Sequence, residues 1–81
     1  MQLDQLPLRQ KRRIASIDWS LISDSEGHRL RSLGIDEGAQ VEALHRGIFW
    51  GRDPLAIRVG RMTIAVRRKV ASAIICEAEA A

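Results

Sequence analysis

The fold depends most on one stretch of the chain, Leu30-Arg31-Ser32-Leu33-Gly34-Ile35-Asp36-Glu37-Gly38-Ala39-Gln40-Val41. Leu30 and Leu33 lie three positions apart and therefore share one helical face. Gly34 follows where helices commonly end in a left-handed residue, a conformation that glycine adopts without a Cβ clash. Ile35 then stands where such a cap places a hydrophobic contact, back onto Leu30. The stretch predicts a helix end docked on the sheet that begins at Val41.

A turn and a helix start flank this point. Asp36-Glu37-Gly38 has the composition of a turn in which Gly38 takes a positive φ. Upstream, Ser23-Asp24-Ser25-Glu26 matches a capping box, in which Ser23 and Glu26 bond each other's backbone amides. The helix is therefore predicted over about residues 24 to 33, and a strand over residues 40 to 46.

The clearest strand signal is a hairpin around Gly60-Arg61, a pair that fits a two-residue type II′ turn. The alternating apolar residues on its two sides are Leu55, Ile57 and Val59, then Met62, Ile64 and Val66. In this hairpin Val59 faces Met62, and all six apolar side chains share one face of the sheet.

The other segments complete a mainly β fold. Alternation predicts a strand over residues 13 to 19, whereas Leu3 to Leu8, interrupted by Pro7, is expected to be an extended lead-in. A short helical turn is predicted near residues 67 to 72 and a last buried strand over 73 to 76. Residues 1–81 are thus expected to form a single domain, a small β-barrel of about five strands with one inserted α-helix.

Composition narrows the class of protein. The chain has 81 residues, and its net charge of +3 permits a nucleic-acid surface without demanding one. No apolar run approaches the ~20 residues that span a bilayer, and no signal-peptide pattern opens the chain. The single cysteine, Cys76, cannot form an internal disulfide. These features predict a soluble cytoplasmic protein.

The only dense basic run consists of Arg9, Lys11, Arg12 and Arg13. A run of this kind is typical of a solvated edge strand that charge protects from pairing. The alternative is a surface for nucleic acid.

Signatures of catalysis are missing from the sequence. It contains no phosphate-binding loop, no zinc-type spacing and no nucleophile elbow. His28 and His45 are distant in sequence, and Cys76 would be the only third soft ligand. The sequence therefore predicts neither an enzyme nor a resident cofactor or metal.

A candidate binding segment lies between two glycines. Residues 47 to 54, closed by Asp-Pro, are predicted to form a loop that carries Ile48, Phe49 and Trp50, with Arg52 beside them. Such a loop either folds back over one end of the barrel or exposes a docking patch. The predicted partner-binding residues are these four.

Several pieces in this order resemble the FeoA family, the small proteins of bacterial ferrous iron transport. They are the leucine–glycine segment at 30–38, the Asp-Pro turn into a strand at 53–57, the hairpin at 60–67, and Ala71 with Ile74 at the close. The resemblance runs from about Leu3 to Ile75. One departure is Arg9-Gln10-Lys11-Arg12, where the family usually has a glycine before the first strand.

The resemblance implies an SH3-like barrel with a helix inserted after the first strand. It also implies a partner, the membrane ferrous iron transporter FeoB with its cytoplasmic GTP-binding domain. The chain itself is expected to be a monomer or weak homo-oligomer. Two alternatives remain open: a nucleic-acid-binding small β-barrel, and a detached regulatory module of an iron-dependent repressor, which has the same fold.

Overall fold

A computed structural model describes residues 1–50 and 53–78, without the side chains of residues 48–50 and 53. The five strands are β1 (Lys11–Ile17), β2 (Gln40–Trp50), β3 (Asp53–Val59), β4 (Met62–Val66) and β5 (Ile74–Cys76). The helices are α1 (Asp24–Ser32) and the short α2 (Arg68–Ala71), and two 3₁₀ helices occupy Leu3–Gln5 and Trp19–Leu21. The predicted class, mainly β with one inserted helix and a short helical turn, is confirmed.

The sheet is antiparallel, in the order β4-β3-β2-β1-β5. Strand β1 links β5 to the rest of the sheet, because its residues 11–13 pair with β2 and its residues 14–17 pair with β5. The predicted edge strand is confirmed in part, since residues 11–13 pair with β2 on one side and β5 pairs only from residue 14 onward, but the predicted solvation is wrong for one residue of the run. Arg12 in this run is only 8% exposed.

The β3–β4 hairpin has the predicted register. Val59 pairs with Met62, Ile57 with Ile64 and Leu55 with Val66. Gly60 has a φ of +58°, whereas Arg61 is not among the residues with positive φ, which is the type II′ pattern. Leu55 and Ile57 are completely buried, so this hairpin supplies much of the core.

Helix α1 has a defined start and end. The Ser23 hydroxyl accepts a hydrogen bond from the Glu26 amide at 3.3 Å. At the other end, the Ile35 amide donates to the Leu30 carbonyl at 2.9 Å and the Gly34 amide donates to Arg31 at 3.0 Å. These two bonds form a Schellman motif, and Gly34 has the required positive φ of +92°. Leu30 and Ile35 are both fully buried in one core cluster.

The N-terminal segment contributes more than an extended lead-in. It forms a 3₁₀ helix over Leu3–Gln5, and the side chains of Leu3 and Leu6 are completely buried in the core. Three apolar residues spread around Pro7 show no period, so their burial depends on contacts with distant elements rather than on a local pattern.

Two strand boundaries differ from the prediction. Strand β1 ends at Ile17, because the Asp18 carboxylate accepts bonds from the Ser20 amide and hydroxyl and turns the chain into a 3₁₀ helix at Trp19. Strand β2 continues to Trp50, so the predicted loop over residues 47 to 54 is wrong for 47–50, 53 and 54, and residues 51–52 lie outside the described structure. The sequence signal failed because a glycine and an Asp-Pro pair lie inside strands here.

Candidate functional site

A groove of about 570 Å³ crosses one end of the barrel, where α1 ends above the starts of β2 and β4. Its apolar wall includes Leu33, Gly34, Val59 and Met62. Gly34 lies close to the sheet, since a Cβ atom at this position would be 3.7 Å from Val59 Cγ1. Met62 is 42% exposed, so an apolar surface is open to solvent beside the turn.

Charged residues line the other side of the groove. Cross-strand pairing places Lys11 opposite Glu42, and Glu42 opposite Arg58, so these side chains share one face of the sheet. Arg61, in the hairpin turn, also lines the groove. Three cations therefore face a single carboxylate, an arrangement that favours an anionic ligand.

Gly38 completes the turn that places the helix end over the sheet. It has a φ of +87°, and its amide donates to the Ile14 carbonyl at 2.8 Å. Of the residues predicted as structural, Leu33 and Gly34 border the groove, while Leu30 lies in the core beneath. The sequence predicted this turn without showing that it borders a groove.

The predicted partner-binding residues lie at the opposite end of β2. Ile48, Phe49 and Trp50 are the last three residues of that strand, and Trp50 pairs with Asp53. Arg52 lies outside the described residues. The groove and this hairpin end are therefore separate surfaces, and the assignment of these four residues to a partner stays a prediction.

Arg46, just before this hairpin end, has a structural role. Its guanidinium donates to the backbone carbonyls of Asp4 and Leu6, with a distance of 3.3 Å from Nε to the Asp4 oxygen. Asp4 is 5% exposed and its carboxylate also pairs with Arg68 at 3.6 Å. Arg46 thus fastens the N-terminal 3₁₀ helix to β2.

The candidate metal ligands of the sequence are not brought together. Among residues 1–50 and 53–78, no three His, Cys, Asp or Glu side chains form a metal-binding group. His28 on α1 and His45 on β2 are exposed. Burial raises the pKa of the Cys76 thiol to about 11, against smaller opposing effects of the N-terminal amine and Arg12. The thiol is therefore protonated at neutral pH, which makes it a poor nucleophile.

Trp19 packs on the helix rather than in the centre of the barrel. The Arg31 guanidinium carbon lies 4.0 Å from the centroid of the indole ring, which is cation–π geometry. One helical turn before Arg31, a Cβ atom at Gly27 would lie 3.5 Å from the ring. The indole thus joins the 3₁₀ helix to α1.

Sequence reasoning missed the charged row Lys11, Glu42 and Arg58. The hairpin alternation contained a signal for part of it, because Arg58 lies between two inward-facing apolar residues and must face outward. The pairing of β1 with β2 joins residues about 30 positions apart, and no local pattern encodes it.

Comparison with known families gives a match over most of the chain. The FeoA domain family matches residues 1–78. No curated protein sequence matches the chain. No helix among the described residues is long and apolar enough to cross a membrane.

Solved structures with the same architecture include FeoA proteins. FeoA of Stenotrophomonas maltophilia, complexed with zinc, is 31% identical, with a TM-score of 0.78 and coverage of 96% of this chain and 91% of that one. It is described as an SH3 domain protein and suggested as a bacterial ferrous iron transport activating factor. The predicted SH3-like fold is confirmed.

Two further structures show the fold alone. Iron(II) transport protein A of Clostridium thermocellum is 23% identical with a TM-score of 0.79, and the match covers 95% of this chain but only 44% of that one. A manganese-dependent transcriptional repressor is 19% identical with a TM-score of 0.74, over 91% of this chain and 39% of that one. The chain thus spans less than half the length of either protein.

Proposed function

The chain belongs to the FeoA family, and from this premise we propose that it is a cytoplasmic accessory protein of bacterial ferrous iron uptake. In this proposal it is not an enzyme and acts by binding the cytoplasmic GTP-binding domain of the membrane transporter FeoB. The observation that carries the proposal is the family match over residues 1–78. The description of the Stenotrophomonas maltophilia relative as a suggested transport activating factor supports it.

The proposed contact surface is the end of the β2–β3 hairpin. Ile48, Phe49 and Trp50 are consecutive apolar residues that end a strand, and Arg52 follows two positions later in the sequence. Aromatic residues and arginine are the types most enriched among residues that carry binding energy at protein interfaces. The proposal places these four residues against the GTP-binding domain.

The architecture supports this choice of surface. Arg46 bonds the Asp4 and Leu6 carbonyls, so the part of β2 just before the hairpin end is held in place. Rigid strands hold a contact surface in one conformation and lower the entropy cost of binding. Binding at this end also leaves the groove at the other end of β2 accessible.

Calorimetric titration of the purified transporter GTP-binding domain with this protein tests the proposal. Trp50→Ala is expected to weaken binding by about 10-fold or more, the loss typical of a central aromatic contact. Leu21→Ala is the matched control, because Leu21 is an apolar residue that is 58% exposed and belongs to another element. No binding of the wild-type protein would reject the partner, whereas equal binding of Trp50→Ala would reject only the surface.

A further inference from the structure

The two edge strands of the sheet, β5 and β4, differ in whether another segment of the chain pairs with their outer side. At β5, the Cys76 amide donates to the Met1 carbonyl at 2.7 Å, and the Met1 amine donates to the Cys76 carbonyl at 2.8 Å. Gln2 also forms a bridge with Ile75. The N-terminal residues thus cover the β5 edge. Among the described strands, β4 pairs with β3 alone, so its outer edge is open.

The register shows which backbone groups the open edge presents. In a two-residue hairpin the residues that flank the turn, here Val59 and Met62, bond each other, and bonded pairs then alternate with unbonded ones. Met62, Ile64 and Val66 therefore direct their amides to β3. Thr63 and Ala65 direct their amides and carbonyls outward, and both residues are exposed.

Nothing within β4 blocks the approach of another strand. Natural edge strands are often protected by lysine, proline or a bulge. Residues 62–66, Met-Thr-Ile-Ala-Val, contain no charge and no proline, and their pairing with β3 has no register shift. The edge is thus a regular template for β-sheet extension.

Charge at both ends of β4 indicates what kind of segment fits. Arg61 precedes the strand and Arg67 follows it, both exposed, and neither forms an ion pair with another described residue. A second copy pairing antiparallel through the whole of β4, with Ile64 opposite Ile64, would bring Arg61 of each copy opposite Arg67 of the other, and like charges directly opposite destabilise a sheet. Acidic residues at these two positions would be attracted.

We propose that the β4 edge binds an extended acidic segment of a partner protein, which adds a sixth strand to the sheet. The backbone of the segment pairs with Thr63 and Ala65, and two of its carboxylates, six residues apart, face Arg61 and Arg67. At the Arg61 end, the segment reaches the groove beside Met62. Arg58 also lines this groove and supplies a further cation. This surface is distinct from the β2–β3 hairpin and does not depend on FeoB being the partner.

The test uses a labelled synthetic peptide, Glu-Val-Thr-Val-Thr-Val-Glu with blocked ends, and the same peptide with both glutamates replaced by lysine. Fluorescence anisotropy with the whole protein is expected to show saturable binding of the acidic peptide, weakened by salt, and at least ~10-fold weaker binding of the lysine peptide. In NMR spectra, the acidic peptide is expected to protect the Thr63 and Ala65 amides from hydrogen exchange.

Matched variants separate the edge from other surfaces. Thr63→Pro removes an amide that β3 does not use, and is expected to weaken peptide binding about fivefold or more, whereas Thr63→Val keeps the amide and binds within about twofold of wild type. Arg61→Glu with Arg67→Glu is expected to abolish the preference for the acidic peptide. Arg13→Glu with Lys69→Glu, two exposed charges on β1 and α2, changes the net charge by the same amount and is the control.

Three results would overturn the inference. The first is equal binding of the two peptides, and the second is saturable binding with no protection of Thr63 and Ala65. The third is protection of these amides that grows with protein concentration in the absence of peptide, which would assign the edge to a second copy. The NMR measurement on wild-type protein decides the matter even where Thr63→Pro fails to fold.

Discussion

Strand β3 takes part in two hairpins that differ in regularity. With β4 it keeps one register over five consecutive pairs, from Val59–Met62 to Leu55–Val66. With β2 the register shifts twice, between Ala43 and His45 and again between Arg46 and Trp50. Bulges bend a strand and interrupt its ladder. The regular hairpin contributes Leu55, Ile57 and Val66 to the core, whereas the ladder of the irregular hairpin is interrupted toward its far end.

The difference indicates how stability and binding are divided in this domain. Register is strongly specified where one face is buried and weakly specified elsewhere. The apolar pairs with β4 specify the register of β3 from Leu55 to Val59. Beyond Leu44, by contrast, β2 carries His45, Arg46 and Gly47. Substitutions at the far end of the β2–β3 hairpin are thus expected to disturb the core least.

The largest effect is expected from Ile57→Ala. Ile57 is completely buried, pairs with Ala43 in one hairpin and with Ile64 in the other, and so belongs to both. Truncation leaves a cavity and should cost about 2–5 kcal/mol of the free energy of unfolding, or at least ~10 °C in melting temperature. Arg58→Ala, its exposed neighbour, should stay within about 0.5 kcal/mol. A loss below ~1 kcal/mol in Ile57→Ala would show that the two hairpins do not share one core.

Gly34→Val should cause the next largest loss of stability. Gly34 lies beside Val59, next to the turn of the regular β3–β4 hairpin. A β-branched residue at a φ of +92° is strained by of order 1–3 kcal/mol, and its side chain would extend toward Val59. Thermal melts of Gly34→Val and of Ser32→Val, on the last residue of α1, separate strain at the cap from lost helix propensity. A Gly34→Val protein that melts like wild type would contradict the left-handed cap.

Arg46→Met tests the base of the irregular hairpin. The change keeps the aliphatic stem and removes the donors to the Asp4 and Leu6 carbonyls, so we expect a loss of about 1–2 kcal/mol in urea unfolding. Arg46→Lys keeps the charge but not the planar fork, and should recover only part of the loss. Full recovery by lysine would show that charge, rather than the paired hydrogen bonds, holds the N-terminal segment.

The smallest effect on stability is expected from Trp50→Ala, because the proposal places Trp50 at a contact surface. The melting temperature should fall by less than ~4 °C, the shift that corresponds to under ~1 kcal/mol in a domain of this size. A fall of 10 °C or more would mean that Trp50 covers one end of the barrel. The contrast between the two hairpins would then disappear, since both would build the core.

The elements that sequence reasoning predicted are those whose signals are local. The N-cap at Ser23, the Schellman turn at Gly34 and the hairpin at Gly60 each depend on residues within a few positions of one another. Of the predicted capping box only the Ser23 half forms, since the Glu26 carboxylate pairs with Arg29. The type of each element and the register of the β3–β4 hairpin followed from these signals. They explain why the helix and the regular hairpin were predictable.

The features that sequence reasoning missed depend on distant contacts. Leu3 and Leu6 enter the core because the N-terminal 3₁₀ helix packs against β5 and α2, which come last in the sequence. The groove, likewise, is assembled from the ends of four strands and a helix. Its charged row could be found only once the pairing of β1 with β2 was known.

The change of partner along β1 has a consequence for the order in which the domain folds. Residues 14 and 17 pair with residues 76 and 74, so closing the sheet joins positions about 60 residues apart. Loop-closure entropy must be lost before such contacts are gained, which places small barrels of this type among the slower-folding domains, in the millisecond-to-second range. During synthesis β1 is made long before β5. Until β5 is made, residues 14–17 of β1 have no strand to pair with. During this interval the nascent chain is most exposed to misassociation.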